Sequence, residues 1–281
     1  MLHFLLFFTI SLISAQQTTT RSCYTCATTD LKNKWYLTGL APVPDSFFAP
    51  DCANRASKMT SDSCAGPCLT LVFDNPDEVG GNQPATTYVV RGCHRTLTQV
   101  VTDRFNNNNN NNNNQAWCEI DKTYRMSDRK GNIVPVRMMA MMCSDTSLCN
   151  DNEFIPNDFT NGVTCANQTN ENLLNNTPLN CYECLPSAGY NCHDSKCTKK
   201  YCMKQQVKID GGYQLMKSCS DVNYLGIDNT CQTYDVQTTP GGIPLKSELT
   251  QCFCKNKQFC NSSNTKIGFF IIFSIIIYYI Q

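Results

Sequence analysis

Cys23-Tyr24-Thr25-Cys26 and Cys181-Tyr182-Glu183-Cys184 are the stretches whose residue types and spacing could do chemistry. A C-x-x-C pair offers zinc two thiolates, cycles as a redox dithiol, or opens a disulfide framework. A zinc ribbon needs two such pairs acting together, whereas these two head separate cysteine sets, over 23–149 and 181–260. Catalysis needs a convergent acid, base or nucleophile, and the chain has three histidines, His3, His94 and His193. His94 follows Cys93 and His193 follows Cys192, so each is pinned beside a cysteine. His193-Asp194-Ser195 has triad residue types, but adjacent positions do not converge as a triad does. The residues therefore point to a non-enzyme without metal or cofactor, its thiols paired as staples.

Disulfides persist in an oxidising compartment, and both ends of the chain fit that setting. Residues 1–15 (MLHFLLFFTISLISA) read as a signal peptide cut before Gln16, with a first transmembrane helix as the alternative. At the other end, residues 267–280 are mostly apolar, too short for a spanning helix and followed by no basic anchor. A removable GPI signal over 262–281 fits them, with Asn261, Ser262, Ser263 or Asn264 as the lipidated residue, although the polar spacer is short. A short membrane helix and a buried terminal strand are the other readings. The chain's 23 basic and 23 acidic side chains leave no basic excess, which argues against a nucleic-acid partner.

Ten of the twenty cysteines fall in 181–260, a density that replaces a large core with covalent staples. Spacing alone leaves hundreds of pairings open. The opening Cys181-x-x-Cys184, six intervening cysteines and the closing Cys254-x5-Cys260-Asn261 resemble the Ly-6/uPAR family, whose domains have the three-finger fold. The resemblance implies Cys181–Cys202, Cys184–Cys192, Cys197–Cys219, Cys231–Cys252 and Cys254–Cys260, with Asn261 hydrogen-bonded near the hub. Phe253 separates two cysteines that are often adjacent in that family.

The pattern occurs twice, since Cys143-x5-Cys149-Asn150 closes a set that begins at Cys23. Mapped on the family, this first copy implies Cys23–Cys68, Cys26–Cys52, Cys64–Cys93 and Cys143–Cys149, with Asn150 as the structural asparagine. Met141-Met142 stand before Cys143 where Cys118 would find its usual partner, so Cys118–Cys165 is expected to clamp the linker; a free or intermolecular cysteine is the competing reading. The expected architecture is all-β and disulfide-rich: two tandem three-finger (Ly-6/uPAR-like) domains, 23–150 and 181–261, with a disordered Asn-rich loop at 106–114.

Runs 68–73 and 87–91 read as the strands of a long hairpin with an acidic tip at 74–82, and 133–142 as another strand, with Pro135 confining its start to an edge or bulge. Met138, Met139, Met141 and Met142 are expected in the core rather than on an adaptable surface. Trp35, Tyr36, Phe47 and Phe48 in the long first loop either pack back on the sheet, the favoured reading, or form a contact patch. The polar stretch 151–180 reads as a linker with glycan sites at Asn167 and Asn175, and Asn261 heads a third sequon. In the second copy, Asp210-Gly211-Gly212 turns one hairpin and Pro240-Gly241-Gly242 tips another. Lys196, Lys199, Lys200, Lys204 and Lys208 form a basic face, read as solvated or else as a recognition surface.

A binding role follows from the resemblance: a GPI-anchored glycoprotein on the outer face of the plasma membrane that modulates a membrane receptor or ion channel, similar to invertebrate neuronal members with tandem copies. The alternatives are an adhesion or surface-coat protein, and an inhibitor or receptor of a secreted protease or phospholipase.

Overall fold

The computed structural model describes residues 20–53, 59–102, 116–151, 177–188, 193, 195–209, 212–238 and 245–262. The signal-peptide, asparagine-run and GPI-signal expectations, Asn167, Asn175, Ser263, Asn264, and the Cys118–Cys165 and Cys184–Cys192 bridges as pairs lie outside them. Two extended antiparallel sheets dominate. β1 (Arg21–Tyr24), β2 (Cys26–Ala27), β3 (Ser61–Cys64), β4 (Cys68–Asp74), β5 (Thr87–Cys93), β6 (Ala116–Ser127) and β7 (Ile133–Cys143) belong to the amino-terminal half, with the short helix α1 (His94–Thr98) after β5. β8 (Leu179–Ala188), β9 (Ser195–Lys199), β10 (Tyr201–Ile209), β11 (Gly212–Ser220), β12 (Thr230–Thr238) and β13 (Leu245–Cys254) form the other half. The sheet orders are β2-β5-β4-β7-β6 and β12-β13-β10-β11-β8-β9, with β1 and β3 paired as a separate ribbon.

Strand alternation decides what each face buries. In β4, Leu69, Leu71 and Phe73 enter the main core with Met138, Ala140 and Met142 of β7, while Val72, Met139 and Met141 enter a second cluster on the opposite face. All seven β4 residues are buried, as expected of a strand covered on both sides. The methionines are thus core residues, as their spacing suggested. The aromatic loop packs back: Trp35 and Phe47 are buried, Phe47 and Phe48 meet the indole edge-on at 5.8 and 5.6 Å, and its Nε1 donates to the Ala41 carbonyl at 2.9 Å. Pro135 sits where β7 is bordered by β6 alone, because pairing with β4 ends at Met138, so its missing N–H costs no ladder bond on the β4 side.

The main core does not stop at the first sheet. Tyr201, Met203, Met216, Val222, Tyr224, Leu225 and Phe253 of the second half belong to the same buried cluster. Nothing in the polar 151–180 stretch signals this shared core.

Eight disulfides join Cys23–Cys68, Cys26–Cys52, Cys64–Cys93, Cys143–Cys149, Cys181–Cys202, Cys197–Cys219, Cys231–Cys252 and Cys254–Cys260. These are the partners that the family pattern implied. Cys118 and Cys184 are also disulfide-bonded, to residues outside those described. The protein is therefore an all-β, disulfide-rich fold suited to an oxidising, secretory setting. Among the described residues no helix is long and apolar enough to cross a membrane.

Candidate functional site

Four places gather the side chains that composition singled out: two disulfide hubs, the seam between the sheets, and the tip of the β4–β5 hairpin. In the first hub Cys23, Cys64, Cys68 and Cys93 cluster with Cys143 and Cys149; in the second Cys181, Cys202 and Cys219 cluster with Cys197, Cys254 and Cys260. Sulfurs of Cys68, Cys143 and Cys149, and of Cys202, Cys254 and Cys260, approach one another closely enough for a shared metal. Each is half of a disulfide, so none offers the thiolate that a metal needs.

Each hub is closed in the same way. The Asn150 side chain accepts from the Tyr24 amide and donates to the Tyr24 carbonyl, both at 2.9 Å. Asn261 does the same to Tyr182, at 3.0 and 2.9 Å, and also donates to the Met203 carbonyl at 3.0 Å. The preceding turns place Leu148 and Phe259 at φ of 60° and 57°, a region that a bulky side chain seldom adopts. Their amides donate to the Ser22 and Asn180 carbonyls, each one residue before the first hub cysteine. A buried cation completes each closure: Arg91 donates to the Cys52 carbonyl at 3.0 Å and to the Asn150 carbonyl, and Lys217 donates to the Ser262 carbonyl at 3.2 Å. Burial pushes Arg91 down to about 10, and burial, then Lys204, lower Lys217. Sequence reasoning missed both cations, although each stands two residues before a hub cysteine, Cys93 and Cys219.

The Nδ2 of Asn261, the atom to which a glycan would be joined, is buried and donates to the Tyr182, Met203 and Ser218 carbonyls.

The seam is polar at its edges. Glu119 of β6 accepts from the Tyr201 hydroxyl at 2.8 Å and from the Asn223 amide at 3.0 Å. Asp121, fully buried, accepts from the Lys199 ammonium, from the Thr123 amide at 2.9 Å and from the Asp221 amide at 2.9 Å. Burial raises Asp221, and Asp121 adds to that. Arg125 meets Glu183 at 3.2 Å on a more exposed rim. His94 is buried, its Nε2 3.1 Å from the Tyr224 carbonyl; since a carbonyl only accepts, that nitrogen carries the proton. His94 thus bridges the two halves. His193 stacks edge-on against Tyr182 at 4.4 Å, with Ser195 on β9 and Asp194 outside the described residues. The basic face divides accordingly: Lys199 belongs to the seam and Lys204 is buried, while Lys196 and Lys208 are exposed and Lys200 is half-buried.

The acidic hairpin tip is locked rather than free. Lys34 donates to Asp77 at 2.6 Å and to the Tyr88 hydroxyl at 3.2 Å, and Asp77 accepts from the Arg129 amide at 2.6 Å. Glu78 accepts from the Asn75 side chain and the Thr86 amide, each at 2.6 Å. Partial burial works to raise Asp77, but the Lys34 and Arg129 bonds win and hold it below the usual carboxylate range. A depressed folded value stabilises the tip above the unfolded pKa, and that stability is lost as pH falls through the folded one. The Arg129 amide resonance should therefore titrate below the midpoint of a free aspartate, and in Lys34→Met that midpoint should rise; an unchanged midpoint would deny Lys34 this role.

Val101 is the exposed large apolar side chain among the described residues, so no apolar patch marks a docking site there. Compared with models of known families, with curated proteins and with solved structures, the chain matches none.

Proposed function

We propose that the chain is a cell-surface binding protein built from two tandem three-finger domains of the Ly-6/uPAR kind, held to the membrane through its carboxyl end by a GPI lipid. The observation that carries this reading is the duplicated hub closure, in which Asn150 with Leu148 and Arg91 is repeated as Asn261 with Phe259 and Lys217. Disulfide-pinned hairpins present side chains with little conformational freedom, which suits recognition rather than catalysis. The partner is a membrane receptor or ion channel, modulated by added contacts that favour one of its states while the anchor raises local concentration. Lipid attachment at Ser262 or beyond keeps the Lys217 bond to the Ser262 carbonyl, which cleavage after Asn261 would remove.

Two experiments on the full chain in its own membrane test the reading. A phosphatidylinositol-specific phospholipase should release it with a carboxyl-terminal peptide ending between 262 and 264; retention with 267–281 intact overturns the anchor. Photo-crosslinkers at exposed positions of the β4–β5 tip should then capture an integral membrane protein. Capture of a second copy alone would favour adhesion, and of a secreted hydrolase alone the inhibitor role.

A further inference from the structure

The described chain ends at Ser262, beside a surface that borders the seam at Lys199. Residues 195–200 and 255–262 are tied together there through Asn180. The Phe259 amide donates to the Asn180 carbonyl at 2.7 Å, the Asn180 amide to the Gln258 side chain at 2.5 Å, and the Thr198 hydroxyl to the Asn180 side chain at 2.8 Å. These two stretches contain Lys196, Lys199, Lys200, Lys255 and Lys257 and no carboxylate. Lys199 is turned to Asp121, whereas Lys196 and Lys257 are exposed and Lys200 and Lys255 half-buried. Of the neighbouring carboxylates, Glu183 meets Arg125 at 3.2 Å and Asp221 accepts from the Lys200 amide at 3.2 Å.

Aromatic rings support the cations. The Lys196 ammonium lies 5.3 Å from the Phe259 ring centre and that of Lys255 5.4 Å from the Tyr201 ring, while Phe259 leans on Tyr182 at 4.8 Å. From this rim the chain continues through Lys266 into the apolar 267–280 segment. An ammonium group over an aromatic ring, beside the point where the chain is joined to its membrane attachment, suits the boundary between lipid headgroups and water.

We infer that this rim docks on the phosphates of the lipid headgroups in the membrane to which the chain is attached, with Lys196 and Lys257 as the contacts. The inference rests on the membrane attachment proposed above, whether a lipid or the tail itself provides it. β10 runs from the hub at Cys202 to Ile209, so docking hub-down would hold the far end of β10 about 23 Å above the headgroups, at roughly 3.3 Å per residue. That places the tips where the extracellular part of a neighbouring membrane protein stands.

The test is amine acylation of the full chain in detergent and in vesicles of phosphatidylcholine with and without phosphatidylserine, read by peptide mass spectrometry. Exposed Lys130, in the distant β6–β7 turn, is the internal reference. Protection of Lys196 and Lys257 by at least about threefold in either vesicle, weakened by high salt, is the expected result. Equal rates in detergent and in both vesicles, for chain that does sediment with the lipid, would overturn the inference. Chain that stays in the supernatant would instead overturn the attachment reading on which it rests.

Discussion

Replacing both Cys23 and Cys68 by serine is expected to cost about 4 kcal/mol, against about 2 kcal/mol for the Cys143–Cys149 pair, because the loops they close differ in length. Their sequence separations are 45 and 6 residues. The Cys26–Cys52 bridge lies inside the longer loop and shortens it, so the larger figure is an upper bound. Since a domain of this kind is stable by roughly 5–15 kcal/mol, the first loss removes a large share of the total. Urea unfolding of the oxidised double mutants measures both values, and equal losses would show that loop entropy is not what these bridges supply.

Asp121→Ala should destabilise the fold by about 3–5 kcal/mol, the scale for removing one partner from a buried ion pair. The substitution leaves the Asp221 and Thr123 amides without their carboxylate acceptor and the Lys199 ammonium with the Thr123 carbonyl at 3.1 Å but no counter-charge. Glu183→Ala makes the contrast. That carboxylate and its partner Arg125 keep 29% and 37% of their side-chain surface, and such pairs contribute roughly 0–1 kcal/mol. Calorimetric unfolding of the two variants separates the cases. If Asp121→Ala lost no more than Glu183→Ala, the seam would be held by its apolar contacts alone.

These two predictions concern different levels of the molecule. The bridges act within each half, whereas Asp121 acts between halves and joins a shared apolar core. With the halves locked, any hairpin tips used for binding would be presented in a fixed relative orientation, which lowers the entropy cost of engaging one partner with both.

The strand-length apolar runs marked the hairpins by local periodicity, whereas the all-β class and the hub asparagines were implied by the family resemblance that the cysteine spacings and the two C-N endings carry. The burial of Met138 to Met142 and the packing of Trp35 and Phe47 were legible because large apolar side chains in strand-length or loop segments seek a core. The tertiary structure alone decided the rest. Glu119 and Asp121 carry no signal in the sequence, and contacts with the second sheet bury them in the fold. Lys199 reads as one of five surface lysines until β9 meets β6, and His94 as a disulfide neighbour until the Tyr224 carbonyl reaches it. Asn261 satisfies the sequon rule in the chain, yet in the fold its Nδ2 is already committed to Tyr182 and Met203. Each of these outcomes depends on contacts across 58 or more residues, and local patterns hold no record of which surfaces such contacts bring together.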